Sequence, residues 1–430
     1  MDIHVLILGA ALIVIVSFLF NQISRRTHIP SVLMLMLLGY VMTFFIELPE
    51  AQLMPALKVL GTIGVILIVL EAALDIHLEK DKLPILAKAS LLALVLLLVT
   101  AGIIAGAMVL ILGMNLLTSL FYAVPLAVMS SAIIIPSVHN LTAHKKEFLI
   151  FESALSDILG IIIFYALLDF HHASPEESVG ASLAFKTLLT IGISFVVSYA
   201  LILIFQYGRG HATLFVLIAS LVALYALGKL QHMSSLIIIL VFGLVLNNRN
   251  IFFQGRLKAY INENDIAAVL KEFKSITLET AFVVRTFFFV AFGMSIVLSQ
   301  LLNWVVPVVT LIVLIAIYAS RYIGLRTIFL KDIEPEIYVA PRGLITILLF
   351  YQIPEDIVTE AFPPGILLLT ILITSFVMTY GLIKESKKVV PEVSMGGEPP
   401  LEGPFEMPAS QDPVITPGKT IGPSAPVGGE

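Results

Sequence analysis

Apolar runs of about eighteen residues or more recur along almost the whole chain, separated only by short polar breaks. A run of that length is enough for a helix to cross the hydrocarbon of a bilayer, and so many of them exceed what any water-soluble core requires. The chain therefore reads as an all-α polytopic membrane protein. The residue makeup agrees, with 59% hydrophobic and 13% charged residues among 430 and a mean hydropathy of +1.02.

Runs and breaks together predict thirteen spans, near 3–20, 29–46, 58–75, 84–112, 116–139, 147–170, 181–206, 211–228, 233–247, 277–301, 304–328, 336–352 and 364–383. The loops after odd spans carry Arg25 and Arg26, Lys80 and Lys82, Lys145 and Lys146, Arg209, Arg256 and Lys258, Arg326 and Lys331, then Lys387 and Lys388. Loops after even spans are acidic, as in Glu47 and Glu50, Glu176 and Glu177, or Glu355 and Asp356. Basic loops stay on the cytoplasmic side, so the amino terminus is expected outside and the carboxyl terminus inside, in the cell (inner) membrane. The first apolar run lacks a basic leader and precedes Arg25-Arg26, the wrong polarity for a cleaved signal, so it is taken as the first span. The net charge of −5 says little, because charge in such a chain is read by position. With no cysteine, disulfides, thiolate metal sites and cysteine nucleophiles are excluded.

Residues 250–275 mix apolar and charged positions and read as an amphipathic linker on the cytoplasmic surface joining two halves. Residues 391–430 turn to Pro, Gly, Ser and Glu without hydrophobic periodicity, the pattern of a disordered cytoplasmic tail. No glycine-rich nucleotide-binding unit follows the last span, so no fused regulatory domain is expected there.

The sixth span holds what the lipid disfavours most. Glu152 and Asp157 sit inside an apolar run, where a carboxylate at the bilayer centre costs about 2.5–3.5 kcal/mol even on the lenient insertion scale. At about 100° per residue, Glu152, Ser156, Gly160, Ser153 and Asp157 share one arc of roughly 140°. Hydroxyls and carboxylates one turn apart can converge on one small ligand, with Gly160 admitting the close approach of another backbone.

Two other spans are interrupted in comparable places, the fifth at Ser130-Ser131 and the twelfth at Pro341-Arg342-Gly343. Paired interruptions point to a transport site, because freed backbone groups can face an ion there. If spans four to six and eleven to thirteen are inverted repeats, the breaks cross near Asp157. Glu152 lies about five residues, and Arg321 about eight, inside the cytoplasmic ends of their spans, a depth difference of only about 5 Å, so the two can pair. That leaves Asp157 to titrate and gives Glu152 a structural role. Arg285 reads as snorkelling to the cytoplasmic surface. Glu71 either faces the ion or sits at the cytoplasmic rim, and Arg342 either holds the broken span or tunes the ion site.

Taken in order, these pieces resemble the monovalent cation/proton antiporter superfamily, the sodium/proton exchangers, over nearly all of residues 1–385. The pieces are Ile29-Pro30 with Gly39, Gly61 with Leu70-Glu71-Ala72-Ala73-Leu74-Asp75, Ser130-Ser131-Ala132, Glu152-Ser153 with Ser156-Asp157, Ser234-Ser235-Leu236 with Gly243 and Asn247, Phe287-Phe288-Phe289 with Gly293, Arg321, and Pro341-Arg342-Gly343. The resemblance implies a homodimer in which a panel domain flanks a six-helix core, here from about 84–170 and 304–383. Carried over, the ion-carrying aspartate falls on Asp157, its serine ligand on Ser153, and the broken-helix hydroxyl on Ser131 or Ser130. The glutamate–arginine pair falls on Glu152 and Arg321, with Arg342 and Gly343 supporting the break and Glu71 counted among the ion-facing groups. Two positions depart from the family. Ser156 stands where relatives carry Asn or Asp, and Ala132 where many carry an acid.

The expected activity is exchange of a monovalent cation, sodium foremost, for protons, one for one, by competition at Asp157. No cofactor, enzyme activity or nucleic-acid partner is expected, and the partners are lipids, the two ions and a second copy. The alternatives are a cation-selective channel, which would dissipate gradients rather than couple them, and a non-transporting sensor built on the same fold.

Overall fold

The computed structural model describes residues 3–389 apart from 28, 46–49, 77–82, 139–140, 173–178, 206–210, 231–234, 255–262, 330–331 and 360. The carboxyl-terminal tail and several loop charges used for orientation, among them Glu47, Lys80, Glu176, Arg209 and Arg256, lie outside these residues. The chain folds into helices: α1 (Ile3–Thr27), α2 (Ser31–Met42), α3 (Glu50–Asp75), α4 (Leu83–Leu112), α5 (Leu116–Ala127), α6 (Ser131–Ser137), α7 (Ala143–His172), α8 (Val179–Phe205), α9 (His211–Leu230), α10 (Ser235–Asn247), α11 (Arg249–Phe252), α12 (Glu263–Met294), α13 (Val305–Phe329), α14 (Leu344–Phe350) and α15 (Gly365–Val389). No strand occurs among the described residues. Seven stretches there are long and apolar enough to cross a membrane, and five shorter apolar helices accompany them. Large apolar side chains such as Leu12 and Ile15 on α1, Leu98 on α4 and Val196 on α8 point outward. That arrangement is stable against lipid and not against water.

Helices α4–α7 and α13–α15 pack chiefly on one another, while α1–α3, α8–α10 and α12 form a second group. The groups meet where α7 touches α3, α8 and α10, where α3 touches α14, and where α1 touches α6. Each half of the first group is a triplet with an interrupted middle: α4, the α5/α6 pair and α7, then α13, the segment ending in α14, and α15.

The two interruptions have local causes. Val128 and Ser130 are extended, so α5 stops at Ala127 and α6 starts afresh at Ser131. In the other triplet Pro341 lacks an N–H and disfavours a helical Ala340 before it, so regular helix resumes only at Leu344. The breaks cross, with Ser130 N donating to Pro341 O at 3.0 Å. Gly343 sits at the crossing because a Cβ there would lie 2.8 Å from Ser130 Oγ and 2.6 Å from Ile133 Cδ1.

Of the expected linker at 250–275, residues 255–262 lie outside the described residues, and residues 263–275 form the first turns of the 32-residue α12. No glycine or proline interrupts residues 263–292, and Ile266 and Phe273 are buried, Phe273 edge-on to Phe242. Gly160 does admit a close neighbour, but that neighbour is the Val128 side chain rather than another backbone.

Candidate ion-exchange site

A helix break frees backbone amides, and buried amides need acceptors. The break between α5 and α6 frees three in a row, and each has one. Met129 N donates to Ser156 Oγ at 2.9 Å, Ser130 N to Pro341 O, and Ser131 N to Asp157 Oδ2 at 3.0 Å. The polar stripe of α7 therefore supplies two of the three acceptors. Ser131 also donates its hydroxyl to the same Asp157 oxygen at 2.5 Å.

Asp157 is 2% exposed. Its Oδ1 is buried without a protein hydrogen bond, as is Ser130 Oγ across the break. Ser153, one turn before Asp157, is fully buried and bonds back to Ile150 O at 3.1 Å, so its hydroxyl is engaged with its own helix rather than with the carboxylate.

Glu152 faces a different neighbour. Arg321 Nη1 and Nη2 donate to its two oxygens at 2.7 and 3.0 Å, and Arg321 Nε donates to Glu336 O at 2.7 Å. Both side chains are almost fully buried, and the two-pronged geometry is the strong form of this pair. Arg342 is anchored by carbonyls instead. Its Nε donates to Leu126 O at 2.7 Å and its Nη1 to Ala340 O at 2.8 Å, while its N–H donates to Thr374 Oγ1. The guanidinium thus satisfies a carbonyl left over where α5 ends, the favourable place for a cation.

Two cavities flank the break. A cavity of about 660 Å³ between α1, α2, α3, α6 and α12 has Ser131 and Ala132 on one wall and Glu71 and Arg285 on another. A cavity of about 20 Å³ on the far side of the break is lined by Glu152, Ser156, Arg321 and Arg342 with Thr100 and Ser320, a volume and polarity that suit one water molecule.

The profile described as "Sodium/hydrogen exchanger, transmembrane" matches residues 10–384. The chain belongs to the sodium/hydrogen exchanger family. Two structures of MjNhaP1, the sodium proton antiporter of Methanocaldococcus jannaschii, are similar to it. One, at pH 8, has a TM-score of 0.67 and 21% identity over 90% of this chain and 97% of that one. The other, from an electron-microscopy map, has a TM-score of 0.65 and 20% identity over 90% and 96%. At that identity the likeness concerns the fold. No curated protein matches the chain. Family and fold are those of a membrane transporter rather than an enzyme.

Within this exchanger the side chains singled out from sequence do not form one cluster. Asp157, Ser131 and Ser130 meet at the crossing, Ser156 caps Met129 behind it, and Glu152 with Arg321 lines the small cavity. Glu71 stands apart from them, on the wall of the large cavity. There Arg285 Nη2 donates to both of its oxygens, at 3.1 and 2.9 Å. Arg285 therefore does not reach for the membrane surface as its position suggested. The depth comparison that pairs Glu152 with Arg321 carries the missing signal: Glu71 lies about four residues from the end of α3 and Arg285 about eight into the expected tenth span, roughly 6 Å apart in depth.

Proposed function

We propose that this exchanger swaps a monovalent cation, sodium foremost, for protons across the cell membrane, and that Asp157 carries either one in turn. The observation that carries the reading is the asymmetry of its carboxylate. One oxygen takes two hydrogen bonds from Ser131, while the other is buried with no protein donor. A buried anion so little satisfied is costly, and a proton on Oδ1 or a cation between Oδ1 and the Ser130 hydroxyl removes that cost. Only one of the two fits at a time, which makes the coupling a competition.

The surroundings support one-for-one exchange. Ser156 does not titrate, Glu152 and Arg321 neutralise each other, and Arg342 is held by carbonyls, so a single unit of charge alternates at the crossing. The large cavity reaches Ser131, whereas Asp157 itself stays covered, an arrangement suited to a carrier that exposes its site to one side at a time. The break-bearing helices would move as a body against the second group. A homodimer with the amino terminus outside and the carboxyl terminus in the cytoplasm, surrounded by lipid and needing no cofactor beyond its substrate ions, completes the proposal.

Reconstitution tests it. Asp157→Asn keeps the size and the acceptor for Ser131 but holds neither a proton nor a countercharge, so sodium-driven proton movement in proteoliposomes should vanish while the protein stays folded in detergent. Coupled flux persisting in that variant would remove Asp157 from the mechanism.

A further inference from the structure

Two acid–arginine pairs of this exchanger are built differently. In Glu152–Arg321 two nitrogens meet two oxygens, both side chains are 2–3% exposed, and the remaining Nε is bonded as well. In Glu71–Arg285 a single nitrogen is shared between both oxygens, the side chains are 17% and 20% exposed, and Arg285 Nε is buried without any bond. A forked, fully buried pair is built to stay closed, whereas a half-wet pair held through one nitrogen is weakly held and easily exchanged.

The weak pair also occupies a consequential place. Glu71 and Arg285 line the large cavity that Ser131, the residue that grips Asp157, also lines. With Ala132 beside Ser131, Glu71 is the one carboxylate among that cavity's described lining residues, and in this structure a guanidinium already occupies it.

We propose that Arg285 is a tethered competitor of the transported cation. An arriving sodium ion takes Arg285's place at Glu71 on its way to Asp157, and Arg285 returns once the ion has passed. The pair thereby sets the apparent affinity for the cation: Glu71 attracts it, and Arg285 both masks that attraction and repels the ion in a narrow, partly dehydrated space. This rests on exchange at Asp157 and adds a specificity-determining residue to it. The bland reading is that the pair merely ties α3 to α12, in which case its loss weakens the fold and leaves sodium affinity alone.

The test is sodium-driven proton flux against sodium concentration at fixed pH, in liposomes containing wild type, Arg285→Gln, Glu71→Gln or the double variant, with thermal unfolding recorded in parallel. One unit charge across a partly solvated cavity changes affinity by about tenfold, so Arg285→Gln should lower the sodium KM by about that factor and Glu71→Gln should raise it similarly. The effect of Arg285→Gln should shrink in the double variant, because there is no longer a carboxylate to unmask. An unchanged or raised KM in Arg285→Gln overturns the proposal. So does an unchanged KM in Glu71→Gln, which decides the matter if Arg285→Gln fails to insert. Matched losses of kcat and unfolding temperature at constant KM would establish the tie instead. A wild type that moves no protons in response to sodium would overturn the exchange reading and this inference with it, whereas an active wild type with insensitive variants overturns this inference alone.

Discussion

Ser131 holds one oxygen of Asp157 twice, through its N–H at 3.0 Å and its hydroxyl at 2.5 Å, while the other oxygen of that carboxylate has no protein donor. The first bond belongs to the break in the backbone and would survive most substitutions. The second belongs to the side chain, whose hydroxyl can turn from donating to Asp157 Oδ2 to accepting a cation.

That distinction makes Ser131→Ala informative. The backbone bond should persist, so the protein should fold with an unfolding temperature close to wild type. A hydrogen bond to a charged group contributes about 1.5–3 kcal/mol, and losing it together with a cation ligand should raise the sodium KM by about tenfold or more. Steady-state flux against sodium concentration measures it.

Glu152 and Arg321 bear on stability. Removing one partner of a buried pair leaves an uncompensated charge, so Glu152→Gln or Arg321→Met should destabilise the folded protein by about 3–5 kcal/mol. The double variant Glu152→Met with Arg321→Met should recover much of that, since well-packed apolar replacements of a buried pair are often neutral. Thermal unfolding in detergent compares the three. Recovery by the double variant would mark the pair as structural, as its full hydrogen bonding implies.

Ser156 accepts from Met129 N, so Ser156→Ala should leave a buried amide without an acceptor, at about 1–3 kcal/mol of stability, and should loosen the break itself. Ser156→Asp adds a second carboxylate beside Asp157. If charge balance at this position sets stoichiometry, that variant should carry net current during exchange and the natural protein should carry none. Flux measured with and without an ionophore clamping the voltage distinguishes them.

Much of this site was legible in the chain because lipid makes polar residues conspicuous. Glu152 and Asp157 stand out in an apolar run, Pro341 and Gly343 announce a break, and counting residues from the span ends is enough to set Glu152 against Arg321. What sequence could not supply was direction. Ser156 looked like a ligand, yet its oxygen faces the amide of Met129, and Ser153 turns back to Ile150 O. The same lack of direction put Arg285 at the membrane surface, because nothing in a single helix says which acid on another helix it meets. The start of α12 was hidden for a related reason: charged residues such as Lys271 and Glu272 interrupt the hydropathy without interrupting the helix, whose continuity depends on the absence of glycine and proline through residue 292.

The central claim is that sodium and a proton exclude one another at Asp157, and proton release on sodium binding tests it most directly. Purified protein in weakly buffered detergent solution with a pH-sensitive dye should release close to one proton for each sodium bound, and Asp157→Asn should release none. Over the pH range where Asp157 titrates, sodium affinity should weaken as the solution becomes more acid, by up to about tenfold per pH unit. Sodium binding that releases no proton and keeps the same affinity across that range would contradict the account.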